Sequence, residues 1–306
     1  MPKPDLTCEH VFYVFDPAHE PATTLAQGVE FTLETQDCFS NQITSADQEF
    51  SSFDWLRINP ATGPVYIDGV KPGDLVRIRI LGIYPTGHST MVTLSGEGAL
   101  TEYVKEPETT IMDNYYCKVV LPTQRGPIEL PTNLMIGVIG LAPDPATGPA
   151  PNGVPGEHGG NMDCTLVATG ASLYLRAHVD GGLFGCGDLH SAMGDGEVSV
   201  CGAETPGLVT IKVDTVDEPL LPVPFLENED YYVSIASADT LDAATKMAND
   251  HMFTFLTEIV GLPINDAVRL MSLVGNLRFC QIVNPLPTIR FEFPKWVLRE
   301  LGYPGL

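Results

Sequence analysis

Apolar and polar side chains alternate in short runs over the first two hundred or so residues of this chain. The runs cover residues 28–35, 74–80, 172–179 and 208–214. A period of two is typical of strands that bury one face, because successive side chains point to opposite faces of a sheet. Turn sequences rich in glycine and proline lie between the first two runs, at residues 59–64, 68–69 and 72–73. This spacing favours a β-sandwich or a barrel.

The pattern changes near residue 239, where apolar side chains recur at helical spacing. They are Leu241, Ala244, Ala248, Met252, Phe255, Leu256 and Ile259. Asp239 is the predicted N-cap of this helix, and the run Gly261-Leu262-Pro263 is predicted to end it. A second helix is predicted over 264–274, and a strand over 277–283.

Strands followed by helices and one more strand predict a mainly β, α+β fold. We expect a β-rich catalytic portion over 1–238, with sandwich-like or jelly-roll-like parts. A smaller α/β portion over 239–306 would pack on it to form one compact unit. A long loop rich in glycine and proline covers 142–161. Its composition is compatible with a linker, but a long loop inside a compact domain is more often the wall or lid of a site.

Acidic residues outnumber basic residues by 39 to 16, so the formal net charge is −23. This charge repels phosphate groups, which excludes nucleic acid and argues against anionic membranes as partners. No run approaches the roughly 18 apolar residues of a membrane span, and the first residues lack the apolar core of a signal peptide. The seven cysteines are scattered and contain no CxxC pair, which indicates reduced thiols. We therefore expect a cytoplasmic protein without nucleic-acid or membrane partners.

The segment 178–204 holds the densest set of candidate metal ligands. Asp188 and His190 are two residues apart, so their side chains share one face of an extended strand. Glu197 follows a glycine-rich turn, which lets the backbone bend around a small site. Mixed nitrogen and oxygen ligands suit zinc or a similar divalent ion. A glycine-rich hairpin with solvated acidic residues has the same sequence features, so the residues alone leave both interpretations open.

Further candidates lie in two other segments. Asp37 comes directly after the predicted strand 28–35, and Asp163 follows the long loop, with His158 and Asn161 just before it. Each residue alone is typical of a turn or a surface charge. Together they predict a cluster of carboxylates and imidazoles.

Other kinds of active site have little support in the sequence. Cys38 and Cys186 are more typical of buried structural thiols than of nucleophiles, because neither has an assigned base. There is no Gly-x-Ser-x-Gly elbow and no phosphate-binding glycine motif. These absences weigh against a serine hydrolase of the α/β type and against nucleotide binding.

Five segments of the chain together match a known pattern. They are TQDCF at 35–39, NPATGPVYIDG at 59–69, PGD at 72–74, GGNMD at 159–163 and GDLHSAMGDGE at 187–197. With these segments the chain resembles the acetamidase/formamidase family over nearly its whole length. The segment 187–197 is the most specific of the five. Parts of the C-terminal region, at 242–245, 266–267 and 283–285, also look like that family.

The resemblance implies a mostly β fold with a smaller α/β part. It also implies hydrolysis of short aliphatic amides, such as formamide and acetamide, to a carboxylic acid and ammonia. The partner at the site would be a small neutral amide, and the cofactor a divalent metal ion, which we expect to be zinc. By motif position, the resemblance implies a metal and catalytic cluster of Asp37, Asp163, Asp188, His190 and Glu197. Within it we assign Asp37, Asp188 and His190 as the metal ligands. Glu197 and Asp163 are the predicted catalytic carboxylates, one of which takes a proton from water and delivers it to the leaving nitrogen.

Contacts with the substrate are predicted from the neighbouring segments. Backbone N–H groups of Gly185, Cys186 and Gly187 would stabilise the oxyanion. Asn161 and His158 are further candidates for contact with the substrate or the oxyanion.

Two other functions stay open at this point. A lactam or cyclic imide hydrolase on the same scaffold is one, since residues 180–182 depart from the family pattern and leave the size of the substrate open. A non-enzymatic β-sandwich binding protein stabilised by a metal is the other, although the Asp188–His190 pair disfavours calcium, which prefers oxygen ligands. The amount of apolar β surface also predicts a homo-oligomer, a dimer or larger.

Overall fold

Short strands dominate the computed structural model, which describes residues 1–115 and 117–306. In chain order the strands are β1 (Val11–Phe12), β2 (Val14–Phe15), β3 (Thr23–Leu25), β4 (Glu30–Thr35), β5 (Ala61–Ile67), β6 (Leu75–Pro85), β7 (Ser89–Thr93), β8 (Glu108–Tyr115), β9 (Lys118–Leu121), β10 (Ile128–Pro131), β11 (Met135–Gly140), β12 (Ala150–Pro151), β13 (Gly159–Asn161), β14 (Ser172–Arg176), β15 (Phe184–His190), β16 (Glu204–Thr205), β17 (Gly207–Val216), β18 (Phe225–Glu227), β19 (Tyr231–Ser237), β20 (Asn276–Gln281) and β21 (Thr288–Pro294). The helices are α1 (Leu241–Thr254), α2 (Ile264–Val274) and α3 (Lys295–Glu300). Single 3₁₀ turns cover Phe50–Ser52 and Trp55–Arg57, and a π-helical turn covers Phe255–Ile259.

Eleven of the described strands form the first sheet. Its main path runs β1-β5-β15-β16-β7-β8-β9-β10, while β11 and β13 branch from β15 and β3 pairs with β5. Strand β15 is the central strand of this sheet, because it pairs with β5, β11 and β16. Side chains at the end of β15 are therefore surrounded by neighbouring strands.

The second sheet has eight strands in the order β20-β21-β19-β18-β14-β6-β17-β4. One of its faces packs against the first sheet. Ile78 and Val209 of the second sheet share one apolar core with Ile136 and Phe184 of the first. Two sheets packed face to face over a common core form a sandwich.

The helices cover the other face of the second sheet. Phe225 and Phe293 of that sheet pack with Ala248 and Met252 of α1 and with Phe255 of the π-helical turn. The molecule therefore has three layers: sheet, sheet and helices. The predicted mainly β, α+β fold with a small helical C-terminal part is confirmed.

The boundary predicted between residues 238 and 239 falls between β19 and α1. The predicted helix over 264–274 is confirmed as α2, and the strand predicted over 277–283 is β20. The prediction of Asp239 as N-cap was wrong by one residue. Thr240 is the extended residue before α1, and its hydroxyl accepts the N–H of Ala243. Asp and Thr are both favourable N-cap residues, so the sequence Asp239-Thr240 does not show which of the two caps the helix.

The loop over 142–161 is folded into the structure. Strand β12 within it pairs with β2, and β13 at its end pairs with β11. The loop is therefore part of the wall around β15 and does not act as a linker. Within the described residues, no helix has the length and apolar character that a bilayer crossing needs.

Candidate active site

Five ionisable side chains meet near the end of β15. Asp188 and His190 lie on β15 itself, and Glu204 begins β16 in a register that places it opposite His190. Asp163 follows β13, and Glu197 lies in the loop 191–203 between β15 and β16. We refer to these five residues as the carboxylate–histidine cluster.

The imidazole of His190 lies among the carboxylates of this cluster. Its Nε2 is 3.2 Å from Oε2 of Glu204, 3.4 Å from Oδ1 of Asp188 and 3.7 Å from Oδ1 of Asp163. The expectation that Asp188 and His190 face the same way is confirmed by this contact. The ligand atoms form two groups of three, with every atom of a group within 4.8 Å of the others: Asp163, His190 and Glu197 in one, and Cys38, Asp188 and Glu204 in the other.

Three of the carboxylate residues have a left-handed backbone. The φ angles are +44° at Asp163, +57° at Asp188 and +48° at Glu197. Residues with side chains rarely adopt this region, and Asp does so more readily than Glu. Such conformations cost free energy and persist only where the surrounding structure imposes them, as in many active sites.

Two glycines make room for the cluster. A Cβ atom on Gly137 of β11 would lie 2.5 Å from Oδ1 of Asp163 and 2.6 Å from Oδ2 of Asp188. A Cβ atom on Gly202 would lie 2.6 Å from Nδ1 of His190. Only glycine leaves these side chains in place, so the close packing of the cluster depends on both positions.

Several polar atoms of the cluster have no partner in hydrogen-bond geometry among the described residues, although Nε2 of His190 lies close to three carboxylates. They are Oδ1 of Asp163, Oδ1 of Asp188, Nδ1 and Nε2 of His190, Oε2 of Glu197 and Oε2 of Glu204. Buried polar atoms are nearly always paired, because leaving one unpaired is costly. Carboxylate oxygens and imidazole nitrogens are ligand atoms that bind a divalent metal ion such as zinc. The cluster therefore fits a metal ion.

Burial also shifts the pKa values of the cluster. It raises the pKa of Asp163 to about 6 and that of Glu204 to about 8. It raises the pKa of Glu197 well above its usual range, and the charge of Asp163 adds to that effect. Burial lowers the pKa of His190, but Glu204 and Asp188 outweigh it, so the net shift is upward. The buried negative charge of the cluster therefore requires protons or a cation to compensate it.

The residues that follow β20 orient Asp163. The side-chain amide of Asn284 donates to Oδ2 of Asp163 at 2.7 Å and to the backbone oxygen of Asn161 at 3.1 Å. Oε1 of Gln281 in turn accepts the N–H groups of Val283 and Asn284 at 2.9 Å. The C-terminal part of the chain thus contributes directly to the site.

A buried arginine holds the loop that carries Glu197. The guanidinium of Arg290 on β21 donates to both carboxylate oxygens of Asp195, at 2.9 and 2.7 Å, and to Glu292 at 2.8 Å. Thr165 also donates to Asp195, at 2.9 Å. Because Asp195 lies two residues before Glu197, this bidentate pair fixes the loop 191–203 against the second sheet.

We expect Arg290→Met to lower the free energy of unfolding by about 3 kcal/mol. Removing the guanidinium leaves Asp195 without a cationic partner, although Thr165 still donates to it. Arg278 still pairs with Glu292 from the solvent side. We therefore expect the lower end of the usual cost of breaking a buried pair. Urea titration measures the change. The matched control is Arg269→Met, which breaks an exposed pair with Asp266 and should cost less than about 1 kcal/mol. Equal losses in the two variants would contradict a structural role for Arg290.

The cluster opens into a cavity of about 520 Å³. Asp188, Glu197 and Glu204 line it together with Asn161. These four residues are buried, whereas Leu56, which also lines the cavity, is 89% exposed. The cluster therefore lies at the inner end of the cavity, and Leu56 lies at its mouth.

Asp37, a predicted metal ligand, lies outside both ligand groups. Its Oδ1 accepts the backbone N–H groups of Phe39 at 3.0 Å and Asn41 at 2.7 Å, which closes a tight turn. Burial raises its pKa to about 6, and the nearby charge of Asp188 contributes to that rise. The next residue, Cys38, belongs to a ligand group.

Four of the predicted substrate contacts do not line the cavity. Gly185 and Gly187 pack closely against the ring of Phe12 and the carbonyl of Pro60, and Cys186 is buried in the core between the sheets. The ring of His158 packs edge-on against Phe15, and burial lowers its pKa to about 4. Of the predicted substrate contacts, Asn161 is the one that lines the cavity.

Sequence reasoning missed Glu204 as a site residue. It lies in the segment 178–204, which holds the densest set of candidate ligands, but its place in the site depends on the register of β16 against β15. Strand β16 has only two residues, so it has no alternating pattern from which that register could be predicted.

Comparisons with known proteins agree with this fold. The model of the acetamidase/formamidase family matches residues 7–148 and 146–221. A formamidase of Methylophilus methylotrophus is 26% identical over 62% of the chain, and an acetamidase of Mycolicibacterium smegmatis is 26% identical over 64%. The alignments span 60% and 63% of those two proteins, so the chain spans less than two thirds of the curated relatives it matches.

A solved structure covers more of the chain. The crystal structure of an acetamidase from Bacillus halodurans is 41% identical, with a TM-score of 0.93 over 97% of this chain and 99% of that one. The family model matches more than half of the chain, and the motifs of residues 35–39, 159–163 and 187–197 all contribute to the walls of the same cavity. The chain belongs to the acetamidase/formamidase family.

Proposed function

We propose that this chain hydrolyses a carboxamide to a carboxylic acid and ammonia, with a divalent metal ion bound in the carboxylate–histidine cluster. The proposal rests on one observation. Buried carboxylate oxygens and imidazole nitrogens without hydrogen-bond partners lie at the inner end of an open cavity. The names of the relatives, formamidase and acetamidase, point to the same reaction.

Asp188, His190 and Glu204 would hold the ion, because Nε2 of His190 lies within 3.4 Å of a carboxylate oxygen of each of the other two. Asp37 stays a predicted ligand, and Cys38 offers a thiol within 4.8 Å of ligand atoms of Asp188 and Glu204. When bound, such an ion supplies Lewis acidity, which polarises a carbonyl and acidifies water. We propose zinc, since an imidazole with carboxylates suits it.

Glu197 would move the proton. Its carboxyl group lines the cavity, and its pKa is raised by burial and by Asp163. A group with a raised pKa can take a proton from the attacking water and return it to the leaving nitrogen. Amide hydrolysis requires that return, because an unprotonated amide nitrogen is a very poor leaving group. Asp163, held by Asn284, would position Glu197 through their close approach.

The wider setting follows from the surface and the thiols. All seven cysteines are free, which suits the reducing cytoplasm that we propose for this protein. The net charge of −23 supports the absence of nucleic-acid partners. Exposed apolar side chains on α2, at Ile264, Val268 and Leu273, support a homo-oligomer.

Removal of the metal tests the proposal with two readouts. We expect a chelator to abolish ammonia release from formamide and acetamide, and zinc to restore it. We also expect metal removal to lower the thermal midpoint by on the order of 10 °C, because an ion that binds only the folded state stabilises it by mass action. Turnover that survives complete metal removal would overturn the metal dependence. A stabilising metal without turnover of any amide would favour the binding-protein alternative.

A further inference from the structure

The cavity is much larger than the amides for which the relatives are named. It measures about 520 Å³, within the usual range of pockets for drug-sized ligands. Acetamide has four non-hydrogen atoms, and at about 30 Å³ for each water-sized unit it fills on the order of 100 Å³. Most of the cavity therefore lies beyond the reach of an acetamide whose carbonyl sits at the carboxylate–histidine cluster.

The wall beyond the cluster is mainly apolar. Trp55 and Leu56 line it from the 3₁₀ turn that precedes β5, and Val92 and Leu94 line it from β7 and the residues after it. Val283 lines it from the segment that follows β20. Trp55 is 39% exposed and Leu56 is 89% exposed, and large exposed apolar side chains around a concave site mark a place where an apolar ligand is buried.

The indole at this wall is fixed before any ligand arrives. Trp55 stacks on Phe50 with ring centroids 6.3 Å apart and an angle of 8°. Phe53 meets Trp55 edge-on at 5.7 Å. A rigid aromatic surface loses little conformational entropy when it binds a ligand.

The charges around the cavity select for a neutral group. Apart from the cluster, the charged side chain that lines the cavity is Glu97, which is acidic, and no lysine or arginine lines it among the residues that the structure describes. The nearest arginine in the sequence, Arg57, donates its Nε proton to the hydroxyl of Tyr13. A substrate with a carboxylate tail would therefore meet the like charge of Glu97 and no lysine or arginine of the described cavity lining.

We infer that this site takes primary carboxamides whose acyl group is neutral, apolar and larger than acetyl, such as hexanamide or phenylacetamide. The amide group would meet the carboxylate–histidine cluster, and the acyl group would lie against Trp55 and the aliphatic wall. The inference rests on the proposed amide hydrolysis. The reaction is the same: water adds to the carbonyl carbon and the C–N bond breaks. One proton from water goes to the nitrogen, which leaves as ammonia, and the remaining hydroxyl stays on the carbonyl carbon as part of the carboxylic acid.

A panel of amides tests this inference in the metal-loaded protein. We expect kcat/KM for hexanamide and phenylacetamide to exceed that for acetamide by at least about tenfold, since even one methylene in an apolar pocket is worth that much. Succinamate, an amide with a carboxylate tail, should be a poorer substrate than hexanamide by a similar factor. Equal or better turnover of acetamide would overturn the inference and leave the proposed function standing. Faster opening of 2-pyrrolidone than of any open-chain amide would overturn it in favour of a lactam hydrolase.

Two variants test the wall. Trp55→Ala should lower the ratio of kcat/KM for phenylacetamide to that for acetamide by about tenfold, because the stacking surface is lost. Leu56→Ser should lower the same ratio severalfold, and Leu56 is 89% exposed, so this variant will fold. The control is Trp296→Ala, since Trp296 lies on α3 away from the cavity and is 56% exposed; it should not change the ratio. An unchanged ratio in both wall variants would overturn the inference.

A binding measurement separates this inference from the proposed function. The chain has two tryptophans, so in the Trp296→Phe variant the fluorescence comes from Trp55. Phenylacetamide should change that fluorescence at concentrations where acetamide does not. This response without turnover would support the apolar site and overturn the hydrolysis. If phenylacetamide left the fluorescence unchanged in an enzyme that hydrolyses acetamide, the hydrolysis would stand and the apolar site would be overturned.

Discussion

Glu197→Gln should lower kcat for amide hydrolysis by about 100-fold to 10,000-fold, the usual contribution of a general acid–base group. Glutamine keeps the shape and the hydrogen-bonding capacity of the side chain but can neither take a proton from water nor return one to nitrogen. The left-handed φ of +48° at this residue shows that the loop 191–203 imposes the position of the carboxyl group. Because the backbone conformation does not depend on the carboxylate, we expect the variant to fold normally.

The metal content of the same variant separates two roles for Glu197. It belongs to a ligand group with Asp163 and His190, so it lies close enough to bind an ion. If it acts as the base, the purified variant keeps its metal and loses turnover. Loss of the metal together with turnover would make Glu197 a ligand and overturn its assignment as base. Glu129→Gln is the matched control, since Glu129 is exposed on β10 and pairs with Lys118; it should retain wild-type kcat.

How far the site can be read from the sequence depends on how local each contact is. Asp188 and His190 share a strand, so their spacing predicts their contact without any knowledge of the fold. Asp163 reaches them through two strand pairings, β13 with β11 and β11 with β15. The family motif points to Asp163, but periodicity does not. Glu204 depends on the register of a two-residue strand, and neither the motifs nor the periodicity identifies it.

In the fold, too, local features can be predicted from the sequence and long-range ones cannot. The period of two residues at 208–214 and the helical spacing from Leu241 predict β17 and α1, because each element's own buried face sets the pattern. The order of the strands in the two sheets comes from long-range pairing, which no local pattern encodes. The predicted oxyanion donors at 185–187 illustrate the consequence. Their glycines suggest an open backbone near a ligand, whereas in the structure they let Phe12 and the carbonyl of Pro60 approach β15.

Gly137→Ala should reduce kcat/KM for amides by about 100-fold or more, although it adds only one methyl group. The added Cβ would lie 2.5 Å from Oδ1 of Asp163 and 2.6 Å from Oδ2 of Asp188, well inside van der Waals contact. Neither carboxylate can yield freely, because Asn284 holds Asp163 and both residues have imposed left-handed backbones. A displacement of about 1 Å in the catalytic groups accounts for a loss of this size.

The control for this substitution is another glycine close to the site. Gly194 lies in the loop 191–203 that carries Glu197, has no left-handed φ, and leaves room for a Cβ with nothing within 4 Å. Gly194→Ala should therefore keep kcat/KM within about threefold of wild type, because nothing has to move. Metal content and thermal midpoints are measured for both variants. If Gly137→Ala retained wild-type kcat/KM, Asp163 and Asp188 would be free to move without consequence, and the chemistry could not depend on their close packing around His190.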